Sequence, residues 1–86
     1  MPHSIEFTPH ARRQFDKLDH SVKERVAPII DALADNPRPP GTAKLHGQEN
    51  RYRQRAGDYR IVYDVWDADA VVSIALIRHR RDAYRL

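Results

Sequence analysis

Arginines at Arg51, Arg53, Arg55 and Arg60 crowd one short stretch, and Arg78, Arg80 and Arg81 crowd the C-terminal end beside His79 and Tyr84. Side chains of these types suit a phosphodiester. Planar guanidiniums grip phosphate oxygens in pairs. A tyrosine hydroxyl moves a proton or its ring stacks on a base, and an imidazole titrates near neutrality. To cut RNA internally, the ribose 2′-hydroxyl must attack the adjacent phosphorus in line. A site for that reaction takes the hydroxyl proton, returns one to the leaving oxygen and stabilises charge on the phosphorus oxygens. Residue type therefore nominates Arg55, Arg60, Arg80, Tyr84 and His79 as the reacting set, with Arg51, Arg53, Arg78, Arg81 and Lys44 as phosphate contacts. Glu49 is a further candidate base if its loop comes close. Plainer roles stand beside these: Tyr84 serves equally well as an anchor for the tail, and His79 as a surface histidine.

The elements that must position this set follow from period and turn chemistry. Arg51, Arg53 and Arg55 alternate with other residues, the period of a strand, so all three share one face. Gly57-Asp58 suits a two-residue type II′ hairpin loop, with glycine first. Ala56 then pairs with Tyr59, and Arg55 lies opposite Arg60. Like charges so placed repel, which an anion between them would relieve. The other face carries Tyr52, Ile61, Tyr63 and Val65 and reads as core. Ile61 to Trp66 completes the second strand, and Asp67-Ala68-Asp69 reads as a three-residue turn that pairs Trp66 with Ala70. Arg78 and Arg80 then emerge on the face of Arg60. The apolar run Val71 to Ile77 reads as a strand covered on both sides.

Upstream, Ser4 to Thr8 alternates as a short strand with Ile5 and Phe7 on one face. Thr8-Pro9 is a helix start, threonine at the N-cap and proline first in the helix. Ala11, Phe15 and Leu18 form its stripe, and the helix should end near Asp19. Ser21 with Glu24 forms a capping-box pattern for a second helix, with Val22, Val26, Ile29, Ile30 and Leu33 as its stripe. Pro28 should kink or split it. Asn36-Pro37-Arg38-Pro39-Pro40-Gly41 stops the helix, and Lys44 to Asn50 reads as loop. One strand, two helices and three hairpin-linked strands imply an α+β fold with both helices on one side of the sheet.

Composition sets the bounds. Eighty-six residues make one small domain, which buries about 60–65% of its unfolded surface. At 41% hydrophobic and 31% charged the chain reads as globular. The net charge of +3 is uneven: residues 1–50 carry seven basic and seven acidic residues, whereas 51–86 carry eight arginines, no lysine and five acids. That half favours an anionic partner, a nucleic acid or an acidic protein, over a solvated basic surface. There is no cysteine, hence no disulfide framework or thiolate site. No membrane span or signal-peptide pattern is evident, so a cytoplasmic location is expected. His3, His10, His20 and His46 have no metal-ligand spacing, and no phosphate-binding loop, dinucleotide loop or Ser-His-Asp arrangement occurs. Neither metal nor cofactor is expected.

Several segments, taken in order, resemble the RelE/ParE toxin superfamily. They are Ala11-Arg12-Arg13-Gln14-Phe15-Asp16-Lys17-Leu18, the connector Asn36 to Gly41, Lys44-Leu45-His46-Gly47, the hairpin Tyr52 to Tyr63 and His79-Arg80-Arg81-Asp82-Ala83-Tyr84. The resemblance spans nearly the whole chain and implies a RelE-like microdomain over residues 1–86. Its order is β-α-α-β-β-β, a two-helix hairpin packed on a mainly antiparallel four-stranded sheet. It further implies a toxin of a type II toxin–antitoxin module: a ribosome-dependent mRNA endoribonuclease that inhibits translation. A cognate antitoxin protein would be its partner, in a hetero-oligomer that binds operator DNA. By resemblance, Arg53 and Arg55 stand where RelE carries two strand lysines, Arg60 at its strand arginine, Arg80 at its late arginine and Tyr84 at its terminal tyrosine. A lysine can be tuned to act as a base, but arginine keeps its proton. The base then falls to His79 or Glu49, as YoeB-type relatives use a histidine–tyrosine pair and a glutamate. The rival within the superfamily is a ParE-type toxin, which inhibits DNA gyrase without cleaving RNA. A pure RNA- or antitoxin-binding module is the third expectation.

Overall fold

The computed structural model describes residues 2–82. Strand β1 (Ser4–Phe7) turns Ile5 and Phe7 to the core. Thr8 then caps helix α1 (Pro9–Asp16): its Oγ1 accepts the Ala11 N–H at 3.1 Å, and Pro9 opens the helix. The helix stops short of Asp19, closing with a tight turn in which the Leu18 N–H reaches the Phe15 carbonyl at 3.1 Å. Helix α2 (His20–Ala32) starts one residue before Ser21, with Asp19 at the N-cap and no side-chain cap bond. The capping box of Ser21 and Glu24 therefore does not form, and Glu24 instead pairs with His20 at 2.7 Å. Pro28 lies inside α2 without splitting it. Proline removes the partner of the Glu24 carbonyl, but both residues are on the exposed side, where water replaces that bond.

After the connector come β2 (Ala43–Lys44), β3 (Arg51–Ala56), β4 (Tyr59–Trp66) and β5 (Val71–His79). Their order in the sheet is β1-β5-β4-β3-β2, with β1 parallel to β5 and the other pairs antiparallel. The fold is thus α+β as expected. The sheet has five strands rather than four, because Ala43 and Lys44 pair with Arg53 and Tyr52 where a loop was expected to start. The core fills one face only: Ala11, Val26, Ile30 and Leu33 of the helical half meet Ala56, Ile61, Tyr63, Val65, Val72, Ile74 and Ile77 of the sheet. On β5, Val72, Ile74 and Ile77 are buried by the helices while Val71 and Leu76 stay half-buried on the open face. The apolar run is therefore covered on one side, not on both.

The β4–β5 connection differs from its expected register in a way that matters for the site. Four residues, Asp67 to Ala70, make the turn, so Trp66 pairs with Val71 rather than Ala70. A bulge follows, since Tyr63 faces Ile74 and Val62 faces Leu76, which leaves Ala75 as the extra residue. The two offsets together restore the parity, and Arg60 faces Arg78. Helix α1 and its cap hold this bulge: Thr8 Oγ1 donates to the Ala75 carbonyl at 3.4 Å, and Gln14 Oε1, in the helix's last turn, accepts the Ile77 N–H at 2.8 Å.

Candidate functional site

On the open face of the sheet Arg55 faces Arg60 across the hairpin, and Arg60 faces Arg78 across the next pair of strands. Gly57 takes φ +60° and Asp58 does not have positive φ, as a type II′ loop requires. The chain leaving β5 is tied to that loop by the Arg80 N–H, which donates to the Asp58 carbonyl at 2.7 Å. The same bond brings Arg80 Nε within 3.8 Å of Asp58 Oδ1, both side chains being largely exposed. Arg55, Gly57, Asp58, Tyr59, Arg60 and Arg80 line a hollow of about 220 Å³. Three guanidiniums against one carboxylate make it a cationic seat for an anion, open to solvent and rich in donors.

The other candidates fall in different places. His79 lies across from Tyr59 on the helix-covered side, its ring edge-on to Tyr59 with centroids 5.1 Å apart. It lines a separate hollow with Gln14, Lys17 and Leu18, and its Nδ1 accepts the Arg81 N–H at 3.1 Å. The reason is plain strand alternation: β5 continues through His79, so neighbours of Arg78 and Arg80 point away from them. Arg51 is occupied by a bidentate pair with Asp64, both contacts 2.9 Å, which raises its pKa further above the usual arginine value. Arg53 sits between Val62 and Ala43 on the open face, midway along β3 between Arg51 and Arg55, and does not line the hollow. Arg81 is exposed in the turn after β5. Lys44 and Glu49 line a third hollow built from residues 44–49, apart from the arginines. Tyr84 lies outside the described residues.

Two residues near the arginine hollow carried no functional signal in the sequence. Asp58 reads there as a turn residue. Arg25 of α2 leans on the hairpin tip, with Nη1 at 3.0 Å from where a Cβ on Gly57 would stand. At the other end of the sheet Arg38 lies over the Tyr52 ring at 5.0 Å and pairs with Asp67 at 2.7 Å, and His3 reaches Asp67 at 3.2 Å. The Arg38 guanidinium first, and His3 second, hold the Asp67 carboxyl below the usual carboxylate range. Tyr63 donates its hydroxyl proton to the Pro37 carbonyl at 2.7 Å, so this cluster straps the proline-rich connector to the sheet. Among the described residues no group of three or more His, Asp or Glu is placed to hold a metal ion. No described helix is long and apolar enough to cross a membrane.

A family model described as the ParE toxin of type II toxin–antitoxin systems, parDE, matches residues 5–84. A putative RelE-like toxin protein of Escherichia coli is 31% identical over 90 residues, covering 100% of this chain and 94% of the relative. The mRNA interferase toxin RelE of Escherichia coli K12 is 28% identical over 88 residues, 98% of this chain and 92% of that one. Among solved structures, the archaeal RelE–RelB complex from Pyrococcus horikoshii superposes with a TM-score of 0.81 at 27% identity, covering 93% of this chain and 97% of that one.

Proposed function

The chain belongs to the RelE/ParE superfamily of type II toxin–antitoxin toxins, and from that premise we propose that it is an endoribonuclease that cuts mRNA in the ribosome and so inhibits translation. The observation that carries this reading is the meeting of Arg55, Arg60 and Arg80 at one cationic hollow. Arg55, Arg60 and Arg80 bind the scissile phosphate and stabilise the charge that builds on its oxygens during in-line attack by the 2′-hydroxyl. Arg53 and Arg78 extend the same face along the RNA backbone, with Arg81 at its margin. Tyr84 gives a proton to the leaving oxygen or stacks on a base. His79 acts at one remove, bracing Tyr59 at the rim of the hollow. The mRNA interferase toxin RelE of Escherichia coli supports the endoribonuclease reading by its name and its match over nearly the whole chain.

The partner in this reading is a cognate antitoxin, as in the RelBE toxin–antitoxin complex of Escherichia coli. An acidic segment of it would neutralise the arginine face. The test is induction of this chain alone in a bacterial host, with mRNA 5′ ends mapped within minutes. New cuts inside translated codons are expected from the natural chain and not from Arg80→Ala or Tyr84→Ala, which should leave folding and antitoxin binding largely intact. Full toxicity in both variants would remove the assigned site. The match to a ParE family model favours a second reading, inhibition of DNA gyrase. Intact mRNA with trapped gyrase–DNA breaks would establish it instead.

A further inference from the structure

In-line cleavage needs a proton acceptor for the 2′-hydroxyl, and the arginines cannot supply one because they keep their protons. His79 turns to the helix-covered side and Glu49 lines a different hollow. The one carboxylate among the described residues that line the arginine hollow is Asp58, whose Oδ1 lies 3.8 Å from Arg80 Nε. It stands at the hairpin tip between Arg55 and Arg60, and its backbone is fixed by the 2.7 Å bond to the Arg80 N–H. Resting on the endoribonuclease reading above, we propose that Asp58 is the general base of the cleavage, a catalytic residue in direct contact with the ribose.

The step balances without any further reactant. The Asp58 carboxylate takes the 2′-hydroxyl proton, and the freed electron pair on O2′ forms a bond to phosphorus. The P–O5′ bond breaks with its electron pair on O5′, which takes a proton from water. The products are a 2′,3′-cyclic phosphate and a 5′-hydroxyl end, and Asp58 returns its proton to solvent. Arg80 would keep the carboxylate aimed before RNA arrives and turn to the phosphate when it does.

The experiment compares the natural chain with Asp58→Asn and Asp58→Glu on bacterial ribosomes translating a long mixed-codon message. It measures single-turnover cleavage at saturating toxin and, separately, toxin affinity for the same stalled ribosomes. Asn is as acceptable as Asp at this exposed loop position, so the fold is kept. Asp58→Asn should slow cleavage by about 10² to 10³ with affinity unchanged or tighter, and Asp58→Glu should recover part of the rate. Cleavage by Asp58→Asn within tenfold of the natural rate overturns the assignment, whatever the affinity does. Affinity lost in step with rate overturns it too, since Asp58 would then only shape the loop. A natural chain that cuts no RNA overturns the endoribonuclease reading and this one together, whereas a cutting natural chain beside an undiminished Asp58→Asn overturns the base alone.

Discussion

Arg51 and Arg55 occupy the same face of one strand, yet the structure puts them to opposite uses. Arg51 faces Asp64 in register and holds it with both arms, side chains 34% and 18% exposed. Arg55 faces another arginine and opens on the hollow. A cross-strand pair as accessible as Arg51–Asp64 contributes on the order of 0.2–1 kcal/mol. Arg51→Ala should therefore lower the melting temperature by a few degrees, about 4–8 °C per kcal/mol in a domain of this size, while cleavage stays within a few-fold of natural. Calorimetry and the single-turnover assay measure the two effects separately. Loss of cleavage in Arg51→Ala with stability unchanged would return Arg51 to the RNA-contacting set. Strand periodicity alone placed Arg51 with Arg53 and Arg55, because a period of two assigns a face and says nothing about the partner opposite.

The elements explain why Arg80 reaches the hollow at all and why Arg78 faces Arg60 beside it. The four-residue turn and the bulge at Ala75 each displace the register by one, and α1, through its cap and its last turn, seats the bulge. Gln14 is the key contact, because the Ile77 N–H has it as acceptor at 2.8 Å in a partly buried position. Gln14→Ala leaves that donor unpaired and should cost about 1–3 kcal/mol. It should also loosen Arg78 and Arg80, so cleavage falls further than in an equally destabilised variant made elsewhere, such as Tyr63→Phe, which loses the hydroxyl's bonds to Pro37 and Thr42. Chemical denaturation sets the stability match, and the rates are then compared at a temperature where both variants are folded. Equal rates would mean that the bulge does not set the geometry of the site.

Among the described residues Arg55, Arg60 and Arg80 gather at one end of the sheet's open face. Binding of RNA there should be strongly salt-dependent, because each phosphate neutralised releases counterions. Three guanidiniums engaged on single-stranded RNA give a slope of log K against log salt of roughly −2, and Arg80→Ala should make it shallower by about 0.7. Fluorescence titration of a short single-stranded RNA at several salt concentrations reads both. A slope near zero, or one that Arg80→Ala leaves unchanged, would mean that the hollow does not hold RNA phosphate.

Local rules in the chain determined the hairpin. Alternation, Gly57 at the first loop position and the apolar set Ile61, Tyr63 and Val65 leave one register in which the greasy face is buried, so Arg55 had to face Arg60. Thr8 and Pro9 likewise fixed the start of α1. Tertiary structure decided the rest, because it depends on residues far apart in the chain. The side of the sheet on which His79 lies depends on how far β5 runs. The approach of Arg80 depends on its bond to Asp58 and on a bulge stabilised by Thr8 and Gln14. Arg25 comes to the hairpin tip only because α2 packs there. Periodicity reports which face a residue takes within its own element, and contact between elements is settled by packing, which no local pattern encodes.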